Sequence, residues 1–277
     1  LLIKMRVEAC CQSLLCHLLP EIDPGRSGVC IDVGVGTFAF YCEIFARLGF
    51  PTVAIEPLPV KKLYQISKKH SIQLIESCLS DQTGEQDLYL GNFAGLLNRN
   101  FSSLSPDWFG SSQRVKRVKS LTLPMLLDTL QVEKITILKL DIEGWEYNII
   151  KQLPDLKKSQ LPRLIMFEYG GGVNKNQGQK GWSKDFFEKT LRCLTILKDC
   201  GYGSSLMLDF VPQSQETLFD LRSPTFQADH LFKQQAIYGN IISCLDWELD
   251  ADTVRKLCQP FYAVNFLEWF VSQLVSG

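Results

Sequence analysis

Short apolar runs alternate with amphipathic stretches along this chain, and the alternation predicts a sheet flanked by helices. Val29 to Val33 and Thr52 to Ile55 are brief, mostly aliphatic runs of the kind that form buried strands. Between them, Ala39 to Leu48 keeps its apolar residues at helical spacing and stops at Gly49. Strand, helix and strand in that order make one βαβ unit, the building block of a parallel sheet. The pattern continues with a helix over Lys61 to Lys69, a strand at Ile72 to Ile75 and a hairpin turning at Asp81-Gln82-Thr83-Gly84. A strand at Val115 to Val118 precedes a helix opened by Thr122, with Pro124 in its first turn where no backbone donor is needed. Ile135 to Leu140 and Leu164 to Phe167 are further strands, with a helix after Glu143 and another over Lys184 to Asp199. Strands near Ser205 to Phe210 and Ile237 to Cys244, then a terminal helix bearing Phe266, Trp269 and Phe270, complete the reading. Asn92 to Gln113 and Gly170 to Gly181 are polar and glycine-rich, and read as long loops of the kind that bind ligands.

The fold class that follows is α/β, a Rossmann-like, mostly parallel central sheet with helices on both faces. Residues 1–28 form a helical lead-in, 29–246 the main domain and 247–277 a helical extension of it. There is no internal repeat. The lead-in carries Lys4 and Arg6 ahead of a leucine-rich stretch, but Glu8, Gln12 and His17 interrupt it, which argues for an amphipathic helix over a signal peptide. The chain opens on Leu1 rather than methionine, which leaves room for a start upstream.

Composition narrows the partners. A formal net charge of -1 offers no broad basic surface for nucleic acid, and no apolar run approaches the roughly 18 residues that cross a bilayer. A small-molecule or glycan substrate is expected, with neither nucleic acid nor membrane as partner. The ten cysteines include no C-x-x-C pair and sit mostly among apolar neighbours, which suggests reduced thiols in a cytoplasmic protein.

Two segments carry chemistry. The turn Asp32-Val33-Gly34-Val35-Gly36-Thr37-Phe38-Ala39 joins a strand to a helix, and its glycines let the backbone pass close to a ligand. Glu56, about 20 residues further on at the end of the next strand, is placed to accept from ribose hydroxyls. Gly34-x-Gly36-x-x-Ala39 also satisfies the dinucleotide fingerprint, so an NAD-dependent oxidoreductase is a rival. The second segment is Leu138-Lys139-Leu140-Asp141-Ile142-Glu143-Gly144-Trp145-Glu146, where a strand ends in an acid-rich turn facing the ligand crevice.

With these segments the chain resembles the FkbM-type methyltransferase family. The resemblance runs from about Cys30 to Cys244, through Ile31-Asp32-Val33-Gly34, Ala54-Ile55-Glu56-Pro57, Leu79-Ser80-Asp81-Gln82-Thr83-Gly84-Glu85, Leu121-Thr122-Leu123, Leu138-Lys139-Leu140-Asp141-Ile142-Glu143-Gly144, Phe167-Glu168 and Tyr238-Gly239-Asn240. It implies a class I methyltransferase fold, S-adenosylmethionine as donor, and a hydroxyl acceptor on a sugar, polyketide or related metabolite. Carried over by position, Asp32, Gly34 and Gly36 line the methionine end of the cofactor, Glu56 the ribose, and Leu79, Ser80 and Asp81 the adenine. Asp141 and Glu143 fall near the transferred methyl group, singly or with a bound divalent cation. The chain departs from the family pattern Asp-Val-Gly-Ala-Asn-x-Gly at Gly36 and Phe38. Phe38 is expected to point into the core beside Phe40, Ile44 and Phe45; a ring in the pocket instead would suggest a non-catalytic binding module.

Methyl transfer is an in-line displacement, so positioning dominates and a base removes the acceptor's proton late. His17, His70 and His230 do not fall at strand ends facing the crevice, which leaves Asp141 and Glu143 as candidate bases, with capping of the following helix as the alternative. Lys139 interrupts an apolar strand and needs a partner, for which Glu168 is the expected residue. A substrate-orienting role for that pair, and stacking of substrate on Trp145 or Trp182, are secondary expectations. The Asn100-Phe101-Ser102 sequon is expected to be accidental.

Overall fold

Residues whose side chains alternate across a strand sort the core of this protein into two layers. The computed structural model describes residues 5–93, 96–108, 110–170, 184–210, 215–232 and 238–262. Within them the strands are β1 (Val29–Val33), β2 (Thr52–Ile55), β3 (Gln73–Ile75), β4 (Cys78–Leu79), β5 (Gly84–Phe93), β6 (Leu96–Leu97), β7 (Ser111–Leu121), β8 (Ile135–Leu140), β9 (Leu164–Gly170), β10 (Tyr202–Asp209), β11 (Glu216–Asp220) and β12 (Tyr238–Leu245). The helices are α1 (Val7–Ile22), α2 (Phe40–Arg47), α3 (Lys61–His70), α4 (Leu123–Leu130), α5 (Glu146–Ile150), α6 (Lys184–Asp199), α7 (Ala228–Leu231) and α8 (Ala251–Cys258).

The main sheet runs β11-β10-β12-β9-β8-β1-β2-β3. From β9 to β3 all pairings are parallel, and β12, β10 and β11 add antiparallel strands at the other side. Ile31, Val33, Leu138, Leu140, Ile165 and Phe167 face α4 and α6. Cys30, Ile137, Leu164 and Met166 face the opposite way, against α1, α2 and α8. The lead-in helix is therefore part of the core: Cys10, Leu14, Leu15 and Leu19 are fully buried along one stripe. No described helix is long and apolar enough to cross a membrane. All ten cysteines are free thiols, eight of them buried.

A second sheet, ordered β4-β7-β5-β6, rises from the connection between β3 and α4. Here the structure departs from expectation. The turn at Asp81 to Gly84 closes no hairpin, because both of its flanks pair with β7, β4 in parallel and β5 antiparallel. The expected loop from Asn92 to Gln113 is partly ordered structure, containing the end of β5, β6, a 3₁₀ turn at Arg99–Phe101 and the start of β7. β11 was not anticipated; it is a half-buried edge strand whose Glu216-Thr-Leu-Phe-Asp220 lacks a clean alternation. Thr122 caps α4 as its sequence predicts, its hydroxyl accepting from the Met125 N–H. The expected terminal helix at Phe266, Trp269 and Phe270, and most of the loop from Gly170 to Gly181, lie outside the described residues.

Candidate active site

The carboxyl ends of β1, β2, β8 and β9 open onto a cavity of about 690 Å³, lined by Gly34, Glu56, Lys139, Asp141 and Glu168 among others. Strand ends in a parallel sheet leave side chains and backbone donors unpaired there, which is why ligands gather at this edge.

One wall is the turn after β1. Gly34 and Gly36 both have positive φ, +74° and +62°. A Cβ on Gly34 would stand 1.8 Å from the carbonyl oxygen of Asp141, so only glycine lets the turns after β1 and β8 approach. A backbone bond joins the same turns, Asp141 N–H donating to Val33, and Gly34 N–H donates to Ile55 at the end of β2. The Glu56 carboxylate accepts from Gly36 N–H at 3.0 Å and from Leu58 N–H at 2.9 Å. Each of its oxygens keeps acceptor capacity for a ligand. Burial raises its pKa, against the lowering effect of those two N–H groups. Asn100, in the 3₁₀ turn, accepts from Thr37 N–H at 2.9 Å and so ties the second sheet to the glycine turn.

Asp32 lies beneath this wall rather than in it. Its carboxylate is 1% exposed, accepts from Cys42 N–H at 2.9 Å and stands 3.2 Å from the Lys139 ammonium. Lys139 also contacts Asp141 at 3.3 Å and lies 4.9 Å from the Tyr41 ring centroid. Burial opposes its charge, but Asp141 and Asp32 outweigh that and its pKa is raised. The expected Lys139–Glu168 pair is replaced by this arrangement, because register places Lys139 beside Asp32 on one side and Met166 on the other. Glu168 instead joins Asp141 and Glu143.

Carboxylate oxygens of Asp141, Glu143 and Glu168 lie within 4.8 Å of one another, close enough to hold a divalent cation. Burial, followed by the charges of Asp141 and Glu146, raises Glu143 well above the usual carboxylate range. Glu168 is raised by burial first and then by Asp141, Glu143, Glu146 and Glu8. Neither Asp141 nor Glu143 caps the following helix, whose N-cap position is Trp145 with no side-chain cap hydrogen bond. Glu146 Oε1 instead accepts from Ile142 N–H in the turn at 2.9 Å, and burial lifts its pKa to about 7. Glu143 itself has φ +57°, an uncommon conformation for a side-chain-bearing residue, and Ser103 Oγ donates to its carbonyl at 2.6 Å.

Of the other expected residues, Leu79 and Trp145 line the cavity, and Trp145 Nε1 donates to Ser80 Oγ at 3.2 Å. Ser80 is fully buried behind it, and Asp81 pairs with Lys151 at 2.6 Å, so neither lines the cavity. Trp182 lies outside the described residues. Phe38 is not core: it is 53% exposed, lines the cavity, and stacks on Phe40 at 5.2 Å with Lys62 beside both rings. The left-handed backbone at Ala39, φ +59°, starts α2 one residue later and leaves the Phe38 ring outside. This is the placement that the sequence linked to a non-catalytic binding module, and a turnover assay distinguishes that module from a catalytic site. Glu8, Tyr41, Trp108, Phe210 and Tyr238 also line the cavity and were not singled out from the sequence. Tyr238 alone had a signal, in the Tyr238-Gly239-Asn240 segment. The lining includes no histidine among the described residues.

Residues 28–203 match the methyltransferase FkbM domain. Comparison with curated proteins gives no match. Among solved structures, the chain is similar to the magnesium protoporphyrin IX methyltransferase of Synechocystis PCC 6803 with bound SAM, at 10% identity and a TM-score of 0.39, over 86% of this chain and 81% of that one. It is also similar to a geranyl diphosphate methyltransferase in complex with SAM, at 11% identity and a TM-score of 0.34, over 84% of this chain and 83% of the other.

Proposed function

Because the chain belongs to the methyltransferase FkbM domain family, which accounts for residues 28–203, we propose that it methylates a hydroxyl of a small metabolite, a sugar, polyketide or related natural product, with S-adenosylmethionine as donor. The observation that carries this reading is that one cavity joins the Gly34–Gly36 turn and Glu56 to the Asp141–Glu143 turn. The volume, about 690 Å³, falls within the range of sites for ligands of this size.

Gly34 and Gly36 are the residues for the methionine arm, Glu56 for the ribose hydroxyls, and Ser77, Cys78 and Leu79 for the adenine. Bound there, S-adenosylmethionine supplies a methyl group on a sulfonium, which leaves as a neutral thioether. The protein holds the acceptor oxygen in line with that methyl carbon; the oxygen–carbon bond forms as the carbon–sulfur bond breaks. Glu143, whose pKa burial raises above the usual carboxylate range, takes the hydroxyl proton when it is ionised. Asp141, held by Lys139, orients the hydroxyl. Asp141, Glu143 and Glu168 are also the donor set for a divalent cation.

The test is melting of the purified protein with S-adenosylhomocysteine and with NAD. Saturation at about 100 times the dissociation constant stabilises by roughly 2.7 kcal/mol, so a clear rise is expected with S-adenosylhomocysteine and none with NAD. The reverse result would return the glycine turn to the dinucleotide reading. Turnover with and without a chelator separates unassisted from metal-assisted transfer.

A further inference from the structure

The family segment builds most of the cavity wall, including Gly36, Glu56, Asp141 and Glu168, and three lining residues among those described come from outside it. Glu8 projects from α1, Phe210 follows β10 and Tyr238 opens β12, all beyond residues 28–203. A fold segment shared across a family suits a shared donor; the added elements are where acceptors are told apart.

Glu8 is held on both oxygens. Tyr41 Oη donates to Oε2 at 2.6 Å and Asn240 Nδ2 to Oε1 at 3.1 Å. An ionised carboxylate has about four acceptor positions and donates nothing, so one position on each oxygen remains for a ligand. Despite these partners Glu8 stays accessible, and it lines the cavity. Asn240 on β12, which holds Glu8, is in register with Glu168 on the neighbouring strand β9 of the same wall. The Phe210 and Tyr238 rings, 4.7 Å apart and 26° from parallel, add an apolar surface to that wall.

We infer that Glu8 is an acceptor-specificity residue: it takes a hydrogen bond from a hydroxyl or amine on a ring that packs against Phe210 and Tyr238, and it rejects acceptors bearing an anion there. The inference rests on the donor reading of residues 28–203. Rejection follows from charge, since an acceptor carboxylate would meet Glu8 and Asp141 with Lys139 already engaged by Asp32 and Asp141.

The test uses three probes of one shape, benzyl alcohol, benzylamine and benzoate, titrated by calorimetry or ligand-observed NMR into protein saturated with S-adenosylhomocysteine. The wild type is expected to bind the alcohol and amine at least about tenfold more tightly than benzoate. Glu8→Gln should cost the amine about tenfold and narrow the gap to benzoate, with S-adenosylhomocysteine affinity unchanged within about twofold. Phe210→Ala should weaken all three probes alike, a readout that does not depend on the Glu8 variant folding. Equal affinity for benzoate and benzyl alcohol in the wild type, or an unaltered order in Glu8→Gln, overturns the inference. Absence of S-adenosylhomocysteine binding in the wild type strikes the donor reading instead, and the probe series repeated without it still reads Glu8.

Discussion

Lys139 stands beside Asp32 in register on adjacent parallel strands, its ammonium 3.2 Å from the carboxylate, with the two residues 3% and 1% exposed. Removing one partner leaves the other charge buried alone. Lys139→Met is expected to cost about 3–5 kcal/mol in urea unfolding, and Lys139→Met combined with Asp32→Leu to regain much of it. A double variant no more stable than the single one would show that the pair does not act as a unit.

Glu56 is expected to hold the ribose of the donor. Glu56→Ala should weaken S-adenosylhomocysteine binding by roughly 1.5–3 kcal/mol, the range for hydrogen bonds to a charged group. The variant also removes the acceptor for Gly36 and Leu58 N–H, so Glu56→Gln is the control. Calorimetric affinities equal to wild type in both variants would leave Glu56 as a brace for the turn.

Asp141 and Glu143 are expected to matter for turnover and little for binding of the donor. In single-turnover transfer to an identified acceptor, Asp141→Asn and Glu143→Gln should each lose about 10²-fold. As a base, Glu143 must be deprotonated, and its pKa lies above the usual carboxylate range. The wild-type rate should therefore fall as pH drops through that raised value, whereas Glu143→Gln should be slow with the step removed. Persistence of the same step in Glu143→Gln would assign the proton elsewhere.

Glu168 should destabilise the native state as pH rises. Its folded pKa is raised, by burial first and then by neighbouring carboxylates, above an unfolded value of about 4.3. The native protein thus binds more protons than the unfolded chain between those values, and stability declines across that interval. Its contribution is fully present below the unfolded pKa and lost by the time pH passes the folded one. Melting temperatures of Glu168→Gln relative to wild type should improve steadily from pH 4 upward, and a constant difference across that range would contradict the raised pKa.

Phe38 is a cavity residue and not a core residue. Phe38→Ala should change unfolding free energy by less than about 1 kcal/mol, the scale of an exposed cation–π contact and a surface position. Loss of several kcal/mol would place the ring in the core after all.

The alternating strands and helices of the parallel part of the main sheet, the glycine turn after β1 and the acidic turn after β8 were legible in the residues themselves. Periodicity, caps and positive-φ glycines act over a few residues, and Val29–Val33, Thr52–Ile55, Ile135–Leu140 and Lys184–Asp199 carry those signals without conflict. Glu56, Asp141 and Glu143 could be placed at the crevice because a parallel strand's carboxyl end always faces it. Which side chains meet was decided only by tertiary structure. Lys139 pairs with Asp32 and not Glu168 because strand register, set by segments distant in the chain, puts those two side by side. The flanks of Asp81–Gly84 do not pair with each other because β7 takes both. Phe38 faces the cavity because a single left-handed residue, Ala39, delays the helix. Glu8 reaches the site because the apolar stripe of α1 docks on the sheet and Asn240 and Tyr41 hold its carboxylate. Local pattern sets what each segment can be; the packing of distant segments sets what each polar side chain finds beside it.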